Sequence, residues 1–468
     1  MEKREIAVFW FRRDLRLEDN RALWEALGSG CVVLPLFIFD TSILSKLNNK
    51  RDKRVDYIYK TLCAIDLRLK KVGSSLTVVK GLPVSVFEDL CNSYNIKAIY
   101  CNDDYEPYAI ERDIEVEELL KKRGSKLLRF KDQVIFEKGE ILKGDGLPYT
   151  VFTPYSKRWI EKFNTDPETF AKHFPSENLL DKFIKTEGGE MPALETFGFN
   201  PSGLGNSAPD DSGLFFPWDY SNGEFQKHIF NSDIITDYHN TRNYPALKGT
   251  SLLSVHLRFG TVSIRDAVKV AVKLNGTWLN ELIWRDFFKM ILFNFPYVTD
   301  APFKRKYSFI EWINNSKDLE RWCNGTTGYP LVDAGMRELN QTGLMHNRVR
   351  MVTASFLVKH LLIDWKIGEA YFAEKLLDYD LSSNNGNWQW AAGCGCDAAP
   401  YFRIFNPVEQ ATKYDPDSEY IFKWVPELKP ENRNGKNFTI YPVPLVENKK
   451  ARERALEVYK RSLNEFGL

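Results

Sequence analysis

Between Asp378 and Pro407 the chain reads DYDLSSNNGNWQWAAGCGCDAAPYFRIFNP. This stretch holds two acids two residues apart, an Asn-Asn-Gly turn, two tryptophans two residues apart, and a Gly-rich loop closing on aromatic and arginine side chains. On a strand, residues two apart share a face, but on a helix they stand about 200° apart. Gly386 and Asn387 suggest a helix start, which would send Trp388 and Trp390 in opposite directions, one toward a cofactor and the other toward a substrate. In a chain that is 14% aromatic, core filling is the competing reading for both rings. The acids and amides around them argue against it.

Three further groups of residues could do chemistry. Glu281 and Trp284 are three apart and so lie on one helix face, where spacing alone gives a solvated acid beside a core tryptophan. Asn347 precedes Arg350 by three residues and Met351 by four, placing an amide, a cation and a thioether on a shared face. Such a face is buried only if each polar group has a partner, and Asp378 or Asp380 could supply one for Arg350. Thr250, Ser251 and Ser254 head the run LLSVHLRF, which Gly260 ends. Hydroxyls there can cap the helix, and the same exposed N–H groups suit a phosphate.

These residues need elements to hold them. From Ile6 to Phe130, short apolar runs (IAVFWF, CVVLPLFIF, SLTVV, KAIYC, KLLRF) alternate with charged helical stretches, the pattern of a parallel doubly wound sheet. No G-x-G-x-x-G or P-loop follows the first strand, so an ordinary dinucleotide or P-loop site has no support. Residues 132–184 are mixed in character, and 185–219 read as a linker rich in Gly, Pro and Ser. Beyond Gly223 the periodicity is helical, with Val349, Val352, Phe356 and Leu357 at i, i+3, i+7 and i+8. The expected organisation is an α/β domain (1–131), a connector (132–219) and an all-α domain (220–468).

Composition bounds the function. A chain of 468 residues is long enough for two or three domains. Its formal charge of +1 means that a nucleic-acid partner must meet a local basic surface. The seven scattered cysteines form no disulfide framework, and Cys394-Gly395-Cys396 lacks zinc spacing, so no metal site is expected. The apolar run from Cys31 to Phe39 is too short for a membrane span, and a cytoplasmic protein is expected.

The block from Asp378 to Pro407, together with FWFRRDLRLEDN, TSLLSVHLRFG and ELIWRDF, resembles the DNA photolyase and cryptochrome flavoprotein family. It is most similar to the branch that repairs cyclobutane pyrimidine dimers, and the likeness covers nearly the whole chain. The resemblance implies a lyase with a non-covalent FAD that acts on UV-damaged DNA, and a monomer is expected. It implies FAD contacts at Tyr238, Thr250, Ser251 and Ser254. An Arg350–Asp378 ion pair would lie against the isoalloxazine with Asp380 beside it, and Asn384 would sit near flavin N5. Glu281, Trp284, Asn347, Met351 and Trp390 would line the dimer pocket, with Glu281, Asn347 and Asn384 as the catalytic residues. Trp388, Trp365 and Trp312 would carry electrons, while Arg242, Arg348 and Arg403 would grip phosphates.

Some members hold a folate, deazaflavin or flavin antenna in the first domain and others hold none; Glu106, in NDDYEPYAIERD, would line that cleft. The family's alternative function is a cryptochrome photoreceptor that signals through a protein partner, commonly with Asp or Cys in place of Asn384 and often with a long C-terminal extension. Here the chain runs about 60 residues past Pro407, and that feature and Asn384 favour repair. His346-Asn347 departs from the histidine pair of (6-4) photoproduct enzymes. Leu344 stands where relatives usually have an aromatic ring.

Overall fold

The five Val- and Ile-rich runs are strands in the structure, a computed structural model that describes residues 4–186, 188–204, 218–219, 224–225, 229–429 and 441–464. They are β1 (Glu5–Phe11), β2 (Val33–Asp40), β3 (Thr77–Gly81), β4 (Asn95–Asn102) and β5 (Lys126–Phe130). All pair in parallel in the order β3-β2-β1-β4-β5, with Val8 opposite Leu34 on one side and Ile99 on the other. Six of the seven β1 residues and all of β2 are buried, as a sheet covered on both faces requires. Covering helices include α1 (Arg21–Leu27), α2 (Lys53–Lys71), α3 (Pro83–Ser93) and α4 (Pro107–Lys122).

Two compact units emerge. One comprises residues 1–141, 157–231 and 252–286; the other comprises 142–156, 232–251 and 287–468. This division differs from the three segments expected from sequence, chiefly because residues 252–286 belong with the sheet. The reason is ionic. Arg265 is buried and pairs with Asp19 at 2.9 Å and Asp132 at 2.8 Å, while Arg16 reaches the same Asp132 at 2.6 Å. Burial alone would raise the Asp132 carboxyl, but the two guanidiniums hold it at about 2. Removing one partner of such a dry network leaves an uncompensated charge, which is strongly destabilising. The FRRDLR run thus serves as internal scaffolding. Gly260, at φ 66°, ends its helix where an added Cβ would sit 2.1 Å from the Arg13 carbonyl.

In the second unit, among the described residues from 229 onward, every element is helical. The helices that matter below are α5 (Gly276–Asn294), which begins in the first unit, α6 (Asn347–Ser355), α7 (Trp365–Lys375) and α8 (Leu381–Ala392). Val349, Val352, Phe356 and Leu357 are all at most 1% exposed and form the expected stripe. No helix among the described residues is long and apolar enough to cross a membrane. Most of the linker motifs NPSGLGNSAPDDSG and FFPWD lie outside the described residues.

Candidate functional site: a charged aromatic pocket on helices α6 to α8

Helix α8 begins at Leu381, five residues before the Gly386–Asn387 start read from sequence. Asp380 is its N-cap, and its carboxylate accepts from the Ser383 amide at 3.1 Å and from the Ser382 hydroxyl. Gly386 is a packing residue within the helix, since an added Cβ there would lie 2.2 Å from the Phe288 ring of α5. The longer helix still points Trp388 and Trp390 in different directions: Trp388 is 2% exposed, while Trp390 is half-buried.

Both tryptophans line a pocket that opens to solvent. Its walls also include Asn347, Arg350, Met351, Asp378, Asp380 and Asn384. The face predicted for Asn347, Arg350 and Met351 is therefore real, and so is the partner for its cation. Arg350 donates to both Asp378 oxygens, at 2.9 and 3.2 Å, and through Nε to the Met345 carbonyl at 2.7 Å. Asp380, the other candidate partner, instead pairs with Lys289 of α5 at 3.0 Å. Asn384 donates through Nδ2 to the Glu369 carbonyl at 3.1 Å, which leaves its side-chain oxygen to accept from a ligand N–H. The Glu369 carboxyl bonds Asn385 at 3.2 Å, and burial pushes it up to about 7.

Cations gather in the same unit. Arg348 donates to the Asn243 side chain at 2.6 Å and stacks 4.3 Å from the Tyr414 ring centroid. Burial lowers its pKa, and Arg242 and Arg403 lower it further. Arg242 lies 5.4 Å from the Tyr238 ring and Arg403 6.0 Å from that of Trp390. Half-buried His346 is driven down to about 4, first by desolvation of its ring and then by Arg350, Arg348 and Arg242. Its neutral Nδ1 therefore accepts from the Arg348 amide at 3.2 Å and caps α6.

Of the three tryptophans, Trp388 and Trp365 are buried in one core and Trp312 packs partly exposed against it. The Trp388 indole meets Phe372 at 4.9 Å and Trp322 at 6.2 Å. It lies over Gly368, three residues past Trp365 on α7, where a Cβ would be 2.2 Å from the ring.

Other expected residues stand elsewhere. Glu281 and Trp284 are half-buried on the first-unit half of α5. Thr250 and Ser251 lie outside regular elements, and Ser254 opens a short helix whose N-cap is Leu253. Glu106, in the first unit, is paired with Arg13 at 2.5 Å.

A parallel sheet unit joined in sequence to a helical unit with this pocket can be set against known proteins. Residues 7–175 match the family described as DNA photolyase, and residues 278–461 the FAD binding domain of DNA photolyase. The chain is 36% identical over 513 residues to a deoxyribodipyrimidine photo-lyase of Neurospora crassa, covering 98% of this chain and 82% of the relative. The chain belongs to the DNA photolyase family. Its structure resembles a bacterial class III photolyase from Agrobacterium tumefaciens with a TM-score of 0.84 at 31% identity, covering 99% and 98% of the two chains. An archaeal photolyase from Sulfolobus tokodaii with two FAD molecules aligns with a TM-score of 0.73 at 33% identity, over 98% and 100%.

For a photolyase, the residues present fit a flavin: two ion pairs, a capped helix start, an oriented amide and two indoles converge on one cavity. Sequence reading missed Lys289 and Glu369. Lys289 had a signal, a lone cation inside the apolar run FFKMILF, which is tolerated in a core only with a partner. Glu369 had none, because its link to Asn384 passes through a backbone carbonyl.

Proposed function

We propose that this protein is a light-driven deoxyribodipyrimidine photo-lyase that splits cyclobutane pyrimidine dimers in UV-damaged DNA. The observation that carries the reading is the pocket on α6, α7 and α8, where ion pairs and an oriented amide meet two indoles. The pocket residues would hold reduced FAD, whose chemistry when bound would be light-driven loan of one electron to the dimer under near-UV or blue light.

The chain's own residues do the rest. Arg350 with Asp378, and Asp380, would hold the flavin ring system, and Asn384 would offer it a side-chain oxygen as acceptor. Tyr238, Thr250, Ser251 and Ser254 hold the rest of the cofactor. Asn347, Met351, Trp284 and Trp390 receive the extruded dimer; extrusion costs least for a damaged, poorly stacked base. Glu281, in its protonated form, donates a hydrogen bond to a dimer carbonyl oxygen as negative charge develops on it. Arg242, Arg348 and Arg403 clamp phosphates without reading bases. Trp388, Trp365 and Trp312 relay electrons inward when the flavin is oxidised, and Glu106 lines an antenna cleft.

The protein works as a monomer in the cytoplasm. Its seven free cysteines support a reducing compartment. The test is retention: FAD-loaded protein should shift UV-irradiated duplex in a gel at concentrations that leave unirradiated duplex free, and equal shifts for both would contradict the reading.

A further inference from the structure

Two ion pairs meet at the pocket, Arg350–Asp378 with both partners in its wall and Lys289–Asp380 with Asp380 in the wall and Lys289 behind it, and their cations differ in how dry they are. The Arg350 side chain is 27% exposed and its partner Asp378 5%, whereas Lys289 is 3% and its partner Asp380 10% exposed, so the contrast lies in the cations. A charge pair shielded from water acts on its surroundings far more strongly than a solvated one. We propose that Lys289 is a positioning residue for charge. Given that this pocket is the flavin site, Lys289 neutralises Asp380 and so lets the pocket accept the negative charge that reduction adds to FAD.

Asp380 cannot be dispensed with, because it caps α8 through Ser383 and Ser382. That cap puts a carboxylate in the pocket wall. Reduction of FAD by two electrons and one proton leaves one net negative charge on the ring, and an uncompensated carboxylate beside it opposes that change. Lys289 removes the opposition from behind, reaching Asp380 from α5 at 3.0 Å. Packing alone does not demand a lysine here. A buried ion pair replaced by apolar groups of similar volume is often neutral or stabilising, and Lys289 is buried in a stretch of α5 whose chain neighbours Phe287, Phe288, Met290 and Ile291 are buried too.

The experiment is a reductive titration of bound FAD against a reference dye, in wild type, K289M, K289R, D380N and K289M/D380N. Asn remains a good N-cap, so D380N keeps α8 capped. K289M should disfavour reduction at least tenfold, a midpoint lower by about 30 mV for a two-electron couple, and D380N should favour it by a similar factor. The double variant should return toward wild type, and K289R should match it. By linkage, apo-K289M should lose the same factor in its preference for reduced over oxidised FAD. A merely structural role would lower thermal stability and leave these values unmoved.

An unchanged midpoint in K289M would overturn the proposal. If K289M holds no FAD, equal midpoints in D380N and the double variant would do so. Failure of the wild type to bind FAD would instead remove the flavin reading of the pocket.

Discussion

Trp388 is 2% exposed, lines the charged pocket and lies over Gly368 on the helix that Trp365 opens. Of the three tryptophans expected to carry electrons, Trp388 alone lines the pocket, and it also belongs to the buried core that holds Trp365. Trp388→Phe should therefore abolish photoreduction of oxidised FAD while repair by chemically pre-reduced enzyme persists. Photoreduction at the wild-type rate, followed by absorbance under the same external reductant, would remove Trp388 from the relay. At this scale much of the pocket was legible from spacing, because helix geometry alone puts Asn347, Arg350 and Met351 on one face. Partner choice was not legible. Two aspartates two residues apart look equivalent in sequence, yet Asp378 takes Arg350 and Asp380 takes Lys289, because only the tertiary approach of α5 brings a second cation. The acceptor orientation of Asn384 was equally hidden, since it depends on a backbone oxygen of α7.

Helix α8 is seated by close contact with its neighbours. Gly386 meets Phe288 of α5, and the Trp388 ring meets Gly368 of α7, each where a Cβ would intrude to 2.2 Å. Gly386→Ala gains about 1 kcal/mol of helix propensity, but it drives a methyl into a rigid ring in a filled core, an overpacking cost of about 1–3 kcal/mol. With so short an approach the upper end applies. The variant should melt lower than wild type and hold less FAD; an unchanged melting temperature would mean that α8 has room to shift. The same contact explains why the sequence misplaced the start of this helix. Asn-Gly reads as a turn, and nothing local reveals that the glycine is there to admit a phenylalanine. The five strands, in contrast, were read correctly, because a sheet buried on both faces requires continuous apolar runs whatever packs on it.

For the whole molecule, a net charge of +1 leaves DNA binding to local cations. Arg242, Arg348 and Arg403 sit close enough that the first and last depress the pKa of the second. Three like charges held together are costly unless an anion joins them. Removing Arg242 or Arg403 should weaken binding to damaged and undamaged duplex alike, and should flatten the salt dependence by about one unit of slope per lost contact. A change confined to lesion preference would show that the residue is not a phosphate clamp. The two-unit division was the least legible feature, because the buried Arg265–Asp19–Asp132 network joins residues more than 100 positions apart and recruits 252–286 to the sheet unit.

The central claim is that this chain uses light to split pyrimidine dimers with a flavin held in the α6–α8 pocket. Its most direct test mixes reduced, FAD-loaded protein with a dimer-containing oligonucleotide and follows recovery of thymine absorbance under blue light and in the dark. Recovery with illumination and none in darkness is the predicted result. Equal recovery in the dark, or none under illumination while the lesion is fully bound, would contradict it.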